Sequence, residues 1–175
     1  VSFGPITLFN SLGILFTSLF FFFSGYGLVY RVMHQPDYLD GFLLHRLPAV
    51  LVPFFLSNII GVLIRLYYQN IPTAKVDIVK AVFGLVLLNG NGWYFVEIFF
   101  LYLAFYFSFK WIKNKDISIC FLGIATVIII YIGFQNGHDT STVGDHWFMG
   151  EWWYDSTLVF IMGVLVARFR ERVLA

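Results

Sequence analysis

One carboxylate lies inside a long apolar segment of this sequence and is the first candidate for chemistry. Glu97 follows Trp93 by four residues, and its immediate neighbours are apolar. Ionisable side chains inside a bilayer are costly and commonly functional, whereas a glutamate close to the membrane surface can simply be hydrated. The functional interpretation is a carboxylate that orients a base, binds a cation or hydrogen-bonds a sugar hydroxyl. Trp93 shares its helical face at this spacing.

Arg46 is the second candidate, because it lies directly before an apolar run over residues 47–67. A guanidinium presents a planar fork of donors that matches a phosphate group. The alternative is ordinary anchoring, since basic residues accumulate at the cytoplasmic ends of membrane helices. We interpret the adjacent His45 as a loop residue.

Residues 135–153 combine histidines, carboxylates and a tryptophan pair without any Lys or Arg. Their spacing matches no established ligand pattern for zinc, so we expect no metal. The tryptophans indicate either the membrane interface, where amphipathic rings accumulate, or a platform for a sugar. The single cysteine, Cys120, excludes an internal disulfide framework and a cysteine-rich metal site.

The composition places these residues in an integral membrane protein. The chain has 175 residues, of which 59% are hydrophobic and only 12% charged, whereas soluble domains carry about 25% charged residues. The formal net charge is +1, and we expect a lipid bilayer and no nucleic acid as a partner.

Hydropathy predicts an all-α, polytopic helical bundle in one transmembrane domain. A span needs about 20 apolar residues, and five segments fit, at about residues 5–30, 47–67, 93–112, 117–134 and 154–168. The apolar piece 81–88 is too short to cross and is predicted to be an interfacial or re-entrant helix. With five spans, the basic segments 31–46, 110–115 and 168–172 all face the cytoplasm, as the distribution of Lys and Arg requires.

The first span ends in a small-residue motif within a run of aromatic residues. Ser24, Gly25 and Gly27 let either a neighbouring helix or a substrate chain approach the backbone, and Tyr26 lies between the two glycines. Composition alone favours helix packing.

Four patterns in order resemble the membrane acyltransferase 3 family. The motif Phe22-Phe23-Ser24-Gly25-Tyr26 resembles its Phe-x-x-Ser-Gly-Phe/Tyr signature, and residues 42–48 (FLLHRLP) resemble its basic entry into the next helix. Residues 92–97 (GWYFVE) are similar to its Trp-x-x-x-Glu helix, and residues 160–165 (FIMGVL) to a later span. The matches extend over nearly the whole chain.

The resemblance implies an enzyme that transfers an acyl group, usually acetyl, from cytoplasmic acyl-CoA to a hydroxyl of a cell-surface or exported carbohydrate. Acyl-CoA is then a donor substrate, and no metal is required. Arg46 would bind the donor, Ser24, Gly25 and Tyr26 would line the acyl path, and Trp93 would contact substrate. Glu97 would be catalytic, orienting a base or binding the acceptor. We expect the bacterial cytoplasmic membrane as the location.

Two features depart from the family pattern. The family's first span, with its catalytic histidine, would lie upstream of Val1, so this fragment is not expected to turn over alone. The family's cytoplasmic Arg-x-x-Arg is half kept, because Ala49 follows Arg46 at the second position. A transporter or flippase for a glycan or small anion is the alternative from another class, and a non-catalytic membrane scaffold is the third.

Overall fold

The regular secondary structure in the described part of the protein is helical. The computed structural model describes residues 5–67, 75–83, 92–137 and 151–173. These residues form six helices and no strand: α1 (Pro5–His34), α2 (Phe42–Tyr67), α3 (Lys75–Val82), α4 (Trp93–Trp111), α5 (Lys115–Gly137) and α6 (Glu151–Val173). The predicted all-α class of a polytopic membrane bundle is confirmed.

Four helices are long and apolar enough to cross a bilayer, judged by length and composition over the described residues. The qualifying segments are Leu15–His34, Phe42–Ile64, Trp93–Trp111 and Lys115–Gln135. The fifth predicted span, residues 154–168, lies within α6, and its crossing stays a prediction. Many large apolar side chains on these helices are exposed, as expected for surfaces that face lipid rather than water.

The short element between α2 and α4 differs from the prediction. Helix α3 begins at Lys75 and ends at Val82, so it starts before the predicted interfacial piece 81–88 and includes only its first two residues. Residues 84–91 lie outside the described part of the chain. The polar loop predicted at 135–153 is likewise described only at its two ends.

The connection from α1 to α2 is shorter than the sequence indicated. Helix α1 continues through Arg31 to His34, and α2 begins at Phe42, so Arg46 lies within a helix and not in a loop. The turn closes at Gly41, whose φ of 73° is a conformation that glycine adopts without steric cost. Basic side chains in the last turn of α1 suit the partial negative charge of its terminal carbonyls.

One end of the bundle collects the basic segments, as the predicted topology requires. Lys110 at the end of α4 pairs with Asp40 in the α1–α2 turn at 3.0 Å. Arg168 on α6 pairs with Asp116 at the start of α5 at 2.6 Å, and Lys115 donates to the last carbonyls of α1. These contacts join the C-terminal ends of α1, α4 and α6 to the N-terminal ends of α2 and α5. We call this the basic end.

Helix α1 packs most extensively against α6, which also contacts α5 and α4. Two glycines bring the α1 and α6 backbones together: a Cβ on Gly25 would collide with the Phe160 carbonyl, and a Cβ on Gly163 with the Phe22 carbonyl. On the opposite side, α2 packs against α4. A gap is left between α1 and α2 at the basic end, and the candidate site lies there.

Candidate functional site

A cavity of about 320 Å³ opens between α1, α2 and α4 at the basic end. We call it the arginine cavity. Its lining is polar at one end and apolar at the other, and consists of Phe20, Phe23, Ser24, Gly27, Leu28, Arg31, Arg46 and Tyr102. Most of this lining comes from one face of α1, where Ser24, Gly27 and Arg31 recur at the three- and four-residue spacing of a helix.

Two guanidinium groups from different helices meet at the mouth of this cavity. Arg46 on α2 donates from Nη2 to the Tyr38 hydroxyl at 3.2 Å. Arg31 on α1 lies over the Tyr38 ring, with Cζ 5.9 Å from the ring centroid. Within the described residues, neither arginine has a carboxylate at salt-bridge distance. Two unneutralised like charges repel one another, so an anion bound between them is favoured.

The rest of the lining of the arginine cavity is mostly apolar. It is formed by Phe20, Phe23 and Leu28, and the hydroxyls of Ser24 and Tyr102 lie close enough to interact. The Tyr102 side chain is buried, and Arg46 lies close enough to act on it electrostatically. The lining therefore places two cationic side chains and two hydroxyl groups beside an otherwise mostly apolar surface.

Glu97 lies elsewhere, near the end of α4 that is opposite to the basic end. Its side chain is fully buried, and Oε1 accepts a hydrogen bond of 2.6 Å from the Thr157 hydroxyl of α6. Oε2 has no hydrogen-bond partner among the described residues. A buried oxygen without a partner carries a desolvation cost, and it is a ready acceptor for a hydroxyl or an N–H group.

The remaining predicted site residues lie outside the arginine cavity. Trp93 is buried and stacks on Phe21, with centroids 6.4 Å apart and planes 7° apart. Gly25 packs against α6, and the half-buried Tyr26 stacks on Tyr30 at 6.0 Å. The arginine cavity thus brings Arg46 and Ser24 together but includes none of Trp93, Gly25, Tyr26 or Glu97. The substrate contacts of these residues stay predictions.

Three residues in these contacts were not singled out from the sequence. Arg31 could have been found, because it lies seven residues after Ser24 and therefore on the same helical face. Thr157 belongs to a Ser-Thr pair that follows Asp155 at the start of an apolar segment, and such hydroxyls commonly form hydrogen bonds between membrane helices. Tyr102 follows the Trp-x-x-x-Glu segment by five residues, but no local pattern gave it a role, since the sequence has ten tyrosines.

Metal binding finds no support in the described residues, where no cluster of three potential ligands occurs. The histidines and carboxylates of the predicted outer loop, His138, Asp139, Asp145 and His146, lie outside the described part of the chain.

Comparison with known proteins gives one match. The model of the acyltransferase 3 family, described as an acyltransferase domain, matches residues 2–175. No curated protein and no solved structure matches the chain at a significant level. The family match spans every helix described above, including both sides of the arginine cavity and the Glu97–Thr157 contact.

Proposed function

Since the chain belongs to the acyltransferase 3 family of membrane acyltransferases, we propose that it transfers an acyl group, in particular acetyl, from acyl-CoA to a hydroxyl of an exported or surface carbohydrate. The observation that carries this proposal is the arginine cavity. It has two unneutralised guanidinium groups at its mouth, and the rest of its lining is mostly apolar with two hydroxyl groups. The bacterial cytoplasmic membrane is the proposed location, with the basic end inside.

The chemistry of the donor fits the polarity of the cavity. Coenzyme A carries several phosphate charges at one end and a thioester at the end of a thinner, less polar arm. Arg31 and Arg46 would bind the phosphates through charge-assisted hydrogen bonds. The arm would extend past Leu28 towards Ser24 and Tyr102, whose hydroxyls can donate to the thioester carbonyl. Arg31 would thereby replace the second arginine that Ala49 removes from the family's pattern.

The acceptor is assigned to the opposite end of α4. Glu97 lies five residues from Tyr102 on α4, about 7.5 Å along the helix axis. Its carboxylate faces Thr157 on α6, whereas Tyr102 lines the cavity beside α1. We therefore assign Glu97 to the acceptor, through its second carboxylate oxygen, or to the orientation of the general base, and not to the donor.

The reaction follows from these positions. The acceptor hydroxyl oxygen attacks the thioester carbonyl carbon, a general base takes the hydroxyl proton, and the C–S bond breaks. The ester is released, and the CoA sulfur leaves as a thiolate that takes up a proton. The family resemblance implies that this base is a histidine, and the experiments below use the complete protein.

Binding of radiolabelled acetyl-CoA to the complete protein in nanodiscs tests the donor site. Arg46→Gln and Arg31→Gln should each weaken binding roughly 10- to 100-fold, because a hydrogen bond to a charged group contributes about 1.5–3 kcal/mol. Lys113→Gln is the matched control, since it removes one exposed positive charge at the same end but lies outside the cavity.

Transfer of labelled acetyl to envelope carbohydrate tests the acceptor site. Glu97→Gln keeps the size of the side chain and an acceptor for the Thr157 hydroxyl but removes the carboxyl group, and it should reduce transfer while acetyl-CoA binding stays normal. Unchanged binding in Arg46→Gln together with unchanged transfer in Glu97→Gln would rule the proposal out. Glycan movement across the membrane without consumption of acetyl-CoA would favour the transporter instead.

A further inference from the structure

A second and larger cavity lies at the basic end, on the other side of α1. Its volume is about 500 Å³, and its lining includes Tyr30, Met33, His34, Lys115, Arg168 and Arg170. We call it the rear cavity. It shares no lining residue with the arginine cavity, and three helices, α1, α5 and α6, contribute to it. Volumes of this size are typical of sites for small ligands.

The rear cavity has an excess of positive charge. Arg168 is neutralised by Asp116, with Nε to Oδ1 at 2.6 Å and Nη2 to Oδ2 at 3.0 Å. Lys115 instead donates to two backbone carbonyls, those of Val32 and Met33, at 3.2 and 3.3 Å. These acceptors carry only the partial negative charge of a helix C-terminus, so the full ammonium charge is not cancelled.

Like Lys115, Arg170 lines the rear cavity and has no charged partner among the described residues. Its guanidinium lies over the Tyr30 ring at 5.4 Å, and the same ring stacks on His34 at 4.2 Å. An aromatic face fixes the position of a guanidinium without using its N–H donors. The N–H donors of Arg170 therefore remain available to a ligand, and the contact with the Tyr30 ring holds the guanidinium in place.

Ordinary anchoring at the membrane surface does not account for this arrangement. Anchoring residues extend from helix ends into the headgroup layer, whereas Lys115 and Arg170 reach from two helices across a shared cavity whose third wall is α1. Basic pockets between membrane helices on the cytoplasmic side are suited to phosphorylated headgroups. The phosphate is matched here by an arginine fork and an ammonium group.

We propose that the rear cavity binds a phosphate group, held by Arg170 and Lys115, as part of either an anionic phospholipid headgroup or a soluble phosphate ester. This site goes beyond the proposed acyl transfer, because none of its residues lines the arginine cavity. A ligand there would contact α1, α5 and α6 together, and would hold the end of α1 in place behind the proposed donor site.

The thermal unfolding midpoint of the complete protein tests this site with two probes. One arm compares nanodiscs of phosphatidylglycerol with nanodiscs of phosphatidylcholine, and the other adds inorganic pyrophosphate to protein in phosphatidylcholine. A rise in the midpoint with phosphatidylglycerol alone identifies a lipid headgroup. A rise with pyrophosphate identifies a soluble phosphate ester.

Variants then assign the response to a cavity. Arg170→Gln should lower the apparent affinity for the active probe about tenfold, Arg170→Lys should retain part of it, and Lys113→Gln should leave it unchanged. Arg170 is exposed, so its replacement is not expected to prevent folding. Equal responses in Arg170→Gln and Lys113→Gln, or no response to either probe, would overturn the proposal. A response lost only in Arg46→Gln would also overturn it, since binding would then belong to the arginine cavity.

Discussion

Two glycines that are two residues apart on α1 have opposite surroundings. Gly25 faces α6 so closely that an added Cβ would overlap the Phe160 carbonyl, whereas Gly27 has no atom within 4 Å of such a Cβ and lines the arginine cavity. One glycine allows two backbones to touch, and the other leaves space open. Helix α1 therefore has a closed face towards α6 and an open face towards α2.

The difference separates stability from ligand binding on a single helix. On the closed face, the contact is backbone against backbone, which cannot adjust by rotating a side chain. On the open face, added atoms enter a cavity. Substitutions on the two faces should consequently affect different measurements. Three experiments, given in order of decreasing effect on stability, test these two faces and the contact between α4 and α6.

Gly25→Val should have the largest effect on stability. Its side chain would push α1 away from the Phe160 backbone, and overpacking of this kind costs about 1–3 kcal/mol or more. The thermal unfolding midpoint in nanodiscs should fall markedly. Gly163→Val, which makes the reciprocal contact with Phe22, should behave in the same way. A normal midpoint in both variants would contradict the closed face.

Thr157→Val should have an intermediate effect. It removes the hydroxyl that donates to Glu97 Oε1. This buried oxygen would lose that hydrogen bond, at a cost of about 1–3 kcal/mol. Thr157→Ser keeps the hydroxyl and is the matched control. If urea or thermal unfolding shows the same stability for valine, serine and the unaltered protein, the bond does not hold α4 to α6.

Gly27→Leu should have the smallest effect on stability and a clear effect on binding. Its side chain fills part of the arginine cavity, and its Cβ would have no packing neighbour within 4 Å. The free energy of unfolding should therefore change by less than about 1 kcal/mol. Acetyl-CoA binding should weaken strongly, and Gly27→Ala should show a milder form. Loss of stability together with intact binding would reverse the roles of the two faces.

The fold could be predicted from the sequence because membrane spans depend on hydropathy and charge averaged over long segments, and not on individual contacts. The uncharged run before Arg31 and the basic segments define spans and their direction without knowledge of any contact, and the structure brings those segments to one end. Boundaries were less accurate: nothing in His45 or Arg46 shows that α2 already begins at Phe42, since basic residues are as frequent in the first turns of a membrane helix as before them.

The candidate site could be predicted only in part, because contacts between helices depend on rotation and register. Arg46 was predicted to bind the donor and Ser24 to line the acyl path, and both line one cavity. The same sequence motif contains Gly25, which faces the other way, because adjacent residues on a helix point about 100° apart. The pairing of Glu97 with Thr157 joins positions far apart in sequence, and no local pattern specifies it.

The close contact of α1 with α6 also sets the order in which this protein is assembled. More than a hundred residues separate Gly25 from Gly163, so at synthesis rates of about 5–20 residues per second α1 waits on the order of ten seconds for its main partner. During that interval its glycine face must be covered by lipid or by the insertion machinery. The contact between α1 and α6 therefore forms only after α6 has been synthesised, and a ribosome that stalls before α6 leaves an α1 whose closed face has no partner.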